Sequence, residues 1–209
     1  MSDRKGETAE ATRLEGLWSG SFGDEYLARN ANAGEGRGPF WTELLERAAV
    51  RTVLEVGCNV GGNLRWLAPV LGSEHVYGVD VHAGALEEVR RRLPGINAVA
   101  SPARELPFRD RWFDLVFTAG VLIHQPAATL PRVMGEVVRT ARRYVLAIEY
   151  FAAETEEIAY RGERGALFRR DYGRLYLEAF PELQLMDQGR LGREAGWDDV
   201  TWWLFQRSS

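Results

Sequence analysis

Between residues 52 and 150 the chain alternates short apolar runs with amphipathic ones, and the apolar runs are continuous rather than apolar at every second residue. Strands are expected near 52–56, 75–80 ("HVYGVD"), 97–100, 113–120 ("FDLVFTAG") and 143–150 ("RYVLAIEY"), separated by helices near 61–71, 83–93 and 127–141. A strand that is apolar on both faces must be covered on both, and strand-helix-strand alternation supplies the covering layers. The pattern therefore dictates a doubly wound α/β domain with a mainly parallel sheet. One helix is expected before the first strand, in "GPFWTELLERAAVR", where Phe40, Leu44, Leu45 and Ala48 keep helical spacing and Pro39 suits a first turn. "LQLMDQG" near 183–189 and "VTWWLFQR" near 200–207 bring the sheet to seven strands by adding an antiparallel edge hairpin, with Trp202 and Trp203 on opposite faces.

A chain of 209 residues fits one such domain. Its organisation reads as a disordered lead-in over 1–13 and a single domain over 14–209: an N-terminal helical lid (14–50), a cofactor-binding core (51–150), an insertion capping the substrate (151–180) and C-terminal strands (181–209). No apolar run approaches the roughly 18 residues that span a bilayer, so no membrane role is expected, and the polar N-terminus points to the cytoplasm. A formal net charge of −4 argues against a broad basic surface for nucleic acid. Cys58 is the single cysteine, and His75 and His82 lack partners at ligand spacing, so neither a disulfide framework nor a metal site is expected.

The chemistry-bearing stretch is "VLEVGCNVGGNL", residues 53–64. In an open α/β sheet the ligand lies at the carboxyl ends of the strands, beside the point where strand order reverses. Gly57, Gly61 and Gly62 follow the first strand, so backbone amides approach a ligand with no side chain between. Asp80 ends the second strand, where a carboxylate accepts hydrogen bonds from both hydroxyls of a ribose. These features indicate an adenosine-type cofactor. A dinucleotide would need its pyrophosphate on the glycine turn, and Glu55 would repel it; the same carboxylate receives the ammonium of an amino-acid tail. The charge favours S-adenosylmethionine over a nicotinamide dinucleotide, and makes an oxidoreductase the weaker alternative.

"VLEVGCNVGGNL", "VYGVD", "ARELPFRDRWFDLVFTAGVLIH" and "YVLAIEY" together resemble the successive motifs of the class I S-adenosylmethionine-dependent methyltransferases. The resemblance covers roughly residues 40–150 and implies a Rossmann-like domain that transfers a methyl group. It implies cofactor contacts at Glu55, Gly57, Cys58, Asn59, Gly61, Asn63, Asp80 and Val81, an adenine border at Ser101, Ala103 and Arg104, and a rim at Ala119 and Gly120. Asn59 stands where the common pattern has a second glycine, which a left-handed asparagine tolerates; Pro102 stands where many members carry an Asp for the adenine amino group. "LWSGSFGDEYLARN", "GVLIHQP", "EYF", "YRGERGALFRRDY" and "WWLFQR" further resemble the small methyltransferases associated with pseudaminic acid biosynthesis.

Methyl transfer needs an aligned, dry lone pair, and a base only when the nucleophile must lose a proton. His124, just past the fourth strand, is either that base or a positioning residue, and Glu149 at the end of the fifth strand either meets substrate or caps the insertion. Tyr26, Arg29 and Asn30 in "GDEYLARN" are read as a lid over the cofactor. Trp18, Tyr150, Tyr160, Arg161, Arg170 and Tyr172 are candidate acceptor contacts, an arginine-rich set that suggests an anionic or sugar-like small molecule. The expected activity is methyl transfer to oxygen or nitrogen of a small molecule in a biosynthetic pathway, by a monomer or homodimer; a catalytically idle cofactor-binding subunit is the alternative from another class.

Overall fold

Three helices, α1 (Ser2–Ser19), α2 (Ser21–Arg29) and α3 (Gly38–Arg47), lead into the sheet of a computed structural model that describes residues 2–30, 32 and 34–208, with side chains from residue 9 onward. Then follow β1 (Val53–Val56), α4 (Leu64–Leu71), β2 (Val76–Asp80), α5 (Ala83–Arg92), β3 (Asn97–Ala100), β4 (Phe113–Ala119), α6 (Leu130–Thr140) and β5 (Ala141–Glu149). A two-residue ladder of β6 (Glu156–Glu157) and β7 (Phe168–Arg169), helix α7 (Tyr172–Ala179) and the hairpin strands β8 (Leu183–Leu191) and β9 (Val200–Arg207) complete the chain.

The seven-stranded sheet has the order β3-β2-β1-β4-β5-β9-β8. Strands β1 to β5 pair in parallel, while β9 is antiparallel to both β5 and β8. Strand order reverses between β1 and β4, which sets the ligand crevice beyond their carboxyl ends. Every residue of β1 is buried, as its continuous apolar run required. On one face Leu54, Val56 and Val116 pack with α6 and α7 residues such as Val137, Tyr172 and Tyr176. On the other, Val53, Leu115 and Phe117 pack with Trp41 and Leu44 of α3, Leu67 of α4 and Val89 of α5. Trp203 joins the first layer and Trp202 packs on the second, as period-two alternation demands.

Two expectations are corrected. Residues 2–13 are not a disordered lead-in but part of α1, because its inner face buries Ala11 and Leu14 and Glu15 pairs with Arg104 at 2.5 Å across 89 residues. The segment 151–180 is not wholly a cap: Asp171 caps α7 by accepting from the Arg174 amide at 2.9 Å, and this helix buries Tyr172 and Tyr176 completely in the core.

Candidate active site

The turn after β1 is built by backbone that only small or left-handed residues adopt. Gly57, Asn59 and Gly61 have φ of +74°, +45° and +77°. A Cβ on Gly57 would also stand 2.4 Å from Val121 Cγ2, so the bare main chain is a packing requirement as well. The amides of Gly57 and Cys58 donate to the Val79 carbonyl at 2.8 and 2.9 Å, which ties this turn to the end of β2. There the Asp80 carboxylate accepts from the Asn59 amide at 2.8 Å and the His82 amide at 2.9 Å, one on each oxygen. Each oxygen keeps a second lone pair for a ligand hydroxyl. Burial raises the Asp80 pKa, opposed by these two amides.

Glu55 sits two residues before Gly57 and is 2% exposed. Its Oε1 accepts from Asn63 Nδ2 at 2.6 Å, and its Oε2 is buried with no partner. Burial pushes its pKa up to about 8, against the pull of Asn63 and the Arg37 charge. A buried carboxylate with an unmatched oxygen at the mouth of a bare turn suits a ligand cation, since only a positive charge or strong donor offsets its desolvation.

These groups line one cavity of about 430 Å³. It extends from Glu55, Asp80 and the turn, past Ser101, Ala103 and Arg104, to an aromatic wall of Trp18, Tyr26, His124, Tyr150 and Tyr160. Helices α1 and α2 roof it, held by the Glu15 to Arg104 pair and by His82 Nε2 against Asp24 Oδ1 at 3.1 Å. Of the other expected positions, Gly57, Cys58, Asn59, Asn63, Val81, Ala119, Gly120, Arg29, Asn30 and Arg161 also line it.

Four do not. Gly61 shapes the turn from behind, where an added Cβ would lie 2.8 Å from Leu93. Arg170 is 4% exposed and donates to the Gln125 carbonyl at 2.8 Å, and the Tyr172 hydroxyl donates to the Phe168 carbonyl at 3.2 Å. Both are spent holding the chain behind the cavity wall. Glu149 is fully buried and accepts from the amides of Val121, Leu122 and Ile123 at 3.3, 3.2 and 3.3 Å. It fixes the turn that carries His124 rather than facing a substrate, and burial raises its pKa to about 7.

His124 does face the cavity. Its Nδ1 lies 2.6 Å from the Ala166 carbonyl, and since a carbonyl only accepts, the proton is on Nδ1 and the Nε2 lone pair is free. Burial lowers its pKa to about 4, so the ring is neutral near pH 7. Sequence reasoning missed Arg37, Trp197 and Asp198. Arg37 donates to Asn63 Oδ1 and to the Gly196 carbonyl, both at 2.9 Å, and stacks 4.0 Å over the Trp197 ring. It thereby joins the Glu55 pair to the β8-β9 loop.

Residues 53–143 match the family model described as "Methyltransferase domain". Among curated proteins, the chain is 34% identical over 94 residues to phthiotriol/phenolphthiotriol dimycocerosates methyltransferase of Mycobacterium tuberculosis, covering 44% of this chain and 34% of that one. It is 32% identical over 124 residues to methyltransferase GfsG of Streptomyces halstedii, covering 56% and 44%. The matches thus span less than half the length of those relatives. Among solved structures, 1,6-didemethyltoxoflavin-N1-methyltransferase of Burkholderia thailandensis, with bound 1,6-didemethyltoxoflavin and S-adenosylhomocysteine, has the same fold: TM-score 0.70, 18% identity, 97% of this chain and 90% of that one. Magnesium protoporphyrin IX methyltransferase of Synechocystis with bound S-adenosylhomocysteine gives 0.67 at 14% identity, covering 94% and 99%.

Proposed function

We propose that the chain is a class I S-adenosylmethionine-dependent methyltransferase that methylates oxygen or nitrogen of a small molecule. The observation that carries this reading is the convergence of the unmatched Glu55 carboxylate oxygen, the bare turn at Gly57 and the Asp80 carboxylate on one cavity. That set fits an ammonium, a close-lying chain and a ribose diol in sequence. Glu55 would hold the amino group of the methionine tail, with Arg37 and Asn63 beside it, and Asp80 the ribose hydroxyls. Ser101, Ala103 and Arg104 border the adenine. When bound, the cofactor supplies an electrophilic methyl on a charged sulfur.

The remaining groups orient and dry the acceptor. Helices α1 and α2 keep water from the reacting centre, where alignment contributes most of the rate. His124 presents a neutral Nε2 lone pair that takes a hydrogen bond or a proton from the acceptor, and Ala166 and the turn capped by Glu149 hold that nitrogen in place. A biosynthetic pathway is the setting of this reading; among the described residues no helix is long and apolar enough to cross a membrane.

A nicotinamide dinucleotide brings no ammonium to the unmatched Glu55 oxygen and would set its pyrophosphate against that carboxyl instead. Titration calorimetry with S-adenosylhomocysteine and NAD separates the two. Saturable binding of the first and none of the second is expected; the reverse would overturn the reading.

A further inference from the structure

The aromatic wall of the cavity carries polar groups that the protein itself leaves unmatched. Tyr26, Tyr150 and Tyr160 line the cavity there, and none of their hydroxyls has a hydrogen-bond partner among the described residues. The rings stand close together: Trp18 is 5.2 Å from Tyr26 and 4.4 Å from His124, and His124 is 5.7 Å from Tyr160. Asp198, on the β8-β9 loop, lines the same cavity, and its charge bears on both Tyr26 and Tyr150. It makes no hydrogen bond of its own among the described residues; of the cations, Arg37 feels its charge and Arg169 bears on Tyr150. Arg37 is held by Asn63 and Gly196, Arg170 by Gln125, and Arg161 lies on the exposed rim with its guanidinium carbon 6.0 Å from the Tyr160 ring centroid.

From this placement we infer that the acceptor atom is an amine nitrogen, received by the ring of Tyr26, Tyr150 and Tyr160 with Asp198 as its counter-charge. Three phenol oxygens and a carboxylate accept N–H groups, and aromatic faces attract a cation. The inference rests on the methyltransferase reading and narrows it. It also agrees with charge conservation: the nitrogen lone pair forms the C–N bond as the C–S bond breaks, the electron pair stays on sulfur, and the positive charge passes to nitrogen. The resulting ammonium then gives up its proton to water. The chamber would face positive charge throughout, on the cofactor sulfur before the step and on nitrogen after it.

A hydroxyl acceptor would instead need a base to take its proton. On that wall burial keeps His124 a weak base and Asp198 stands as the counter-charge, while Glu149 lies outside the cavity and burial keeps the phenols of Tyr26 and Tyr150 protonated. An amine needs only to arrive unprotonated. Of the two arginines expected to meet the acceptor, Arg170 is committed to the Gln125 carbonyl, while Arg161 lines the cavity from its rim.

The test uses two probes of one shape, choline and its uncharged isostere 3,3-dimethylbutan-1-ol, titrated by calorimetry into the protein saturated with S-adenosylhomocysteine. Choline is expected to bind at least tenfold tighter than the isostere. Asp198→Asn and Tyr160→Leu are each expected to remove most of that preference, with the circular dichroism of the folded protein retained. Equal affinity for the two probes, binding of neither, or an unchanged preference in folded Asp198→Asn would overturn the amine assignment. S-adenosylhomocysteine binding is measured first, so its failure reports on the methyltransferase reading and a failure of the choline comparison alone reports on the acceptor.

Discussion

Replacing Asp80 by alanine is expected to lower S-adenosylmethionine affinity by well over tenfold, a loss above about 1.4 kcal/mol, in a protein that still folds. The side chain has two duties. Its oxygens each hold one backbone amide, those of Asn59 and His82, and each offers a remaining lone pair to the ribose. Hydrogen bonds to a charged acceptor contribute about 1.5–3 kcal/mol each, so losing both ribose contacts while loosening the glycine turn places the affinity change above about a hundredfold. Asp80→Asn keeps one carbonyl oxygen for an amide and is expected to lose less. Calorimetry on both variants checks the order. An unchanged affinity in folded Asp80→Ala would remove Asp80 from the site.

The second large effect is a dependence of stability on pH that vanishes with Glu55→Gln. Burial raises the Glu55 pKa from 4.5 to about 8, so the folded state holds a proton that the unfolded chain releases. Stability contributed by the protonated form is full below pH 4.5 and is lost as pH rises through about 8. His124 acts in the opposite sense, because its pKa is lowered from 6.5 to about 4, but its window closes at pH 6.5. Glu149, raised to about 7, adds to the Glu55 slope only up to that value. Between pH 6.5 and 8 the net cost is therefore dominated by Glu55 and is on the order of 2 kcal/mol at 1.36 kcal/mol per unit. For a chain of this size that lowers Tm by roughly 4–8 °C. Thermal unfolding across this range should show the decline in the wild type, little of it in Glu55→Gln, and little in the wild type saturated with S-adenosylhomocysteine, whose ammonium favours the carboxylate. A slope that persists unchanged in Glu55→Gln would contradict the assignment.

Much of this was legible in the chain because it is local. Glu55, Gly57 and Asp80 lie at or just past strand ends that the apolar runs define, and the doubly wound rule then places strand ends at the ligand. Asn59 is left-handed as the turn required. What stayed hidden depends on which way a residue faces or on distant partners. Arg170, Tyr172 and Glu149 have the right residue types beside the rim, yet each turns into the wall to satisfy buried backbone groups, a need that spacing alone does not reveal. Arg37 is 159 residues from the Gly196 carbonyl it binds, and nothing near it marks that contact. Among its described side chains helix α1 buries Ala11 and Leu14, along an otherwise polar stretch, so its composition resembles a free tail until its docking surface is in place.

The central claim is that one crevice takes an amino-acid tail at Glu55 and a ribose at Asp80 around an uncovered glycine turn. A crystal structure of the protein grown with S-adenosylhomocysteine tests it most directly. The account predicts the ligand amino group within hydrogen-bond reach of Glu55 and both ribose hydroxyls on Asp80. A crevice left empty at saturating ligand, or a ligand seated away from those two carboxylates, would contradict it.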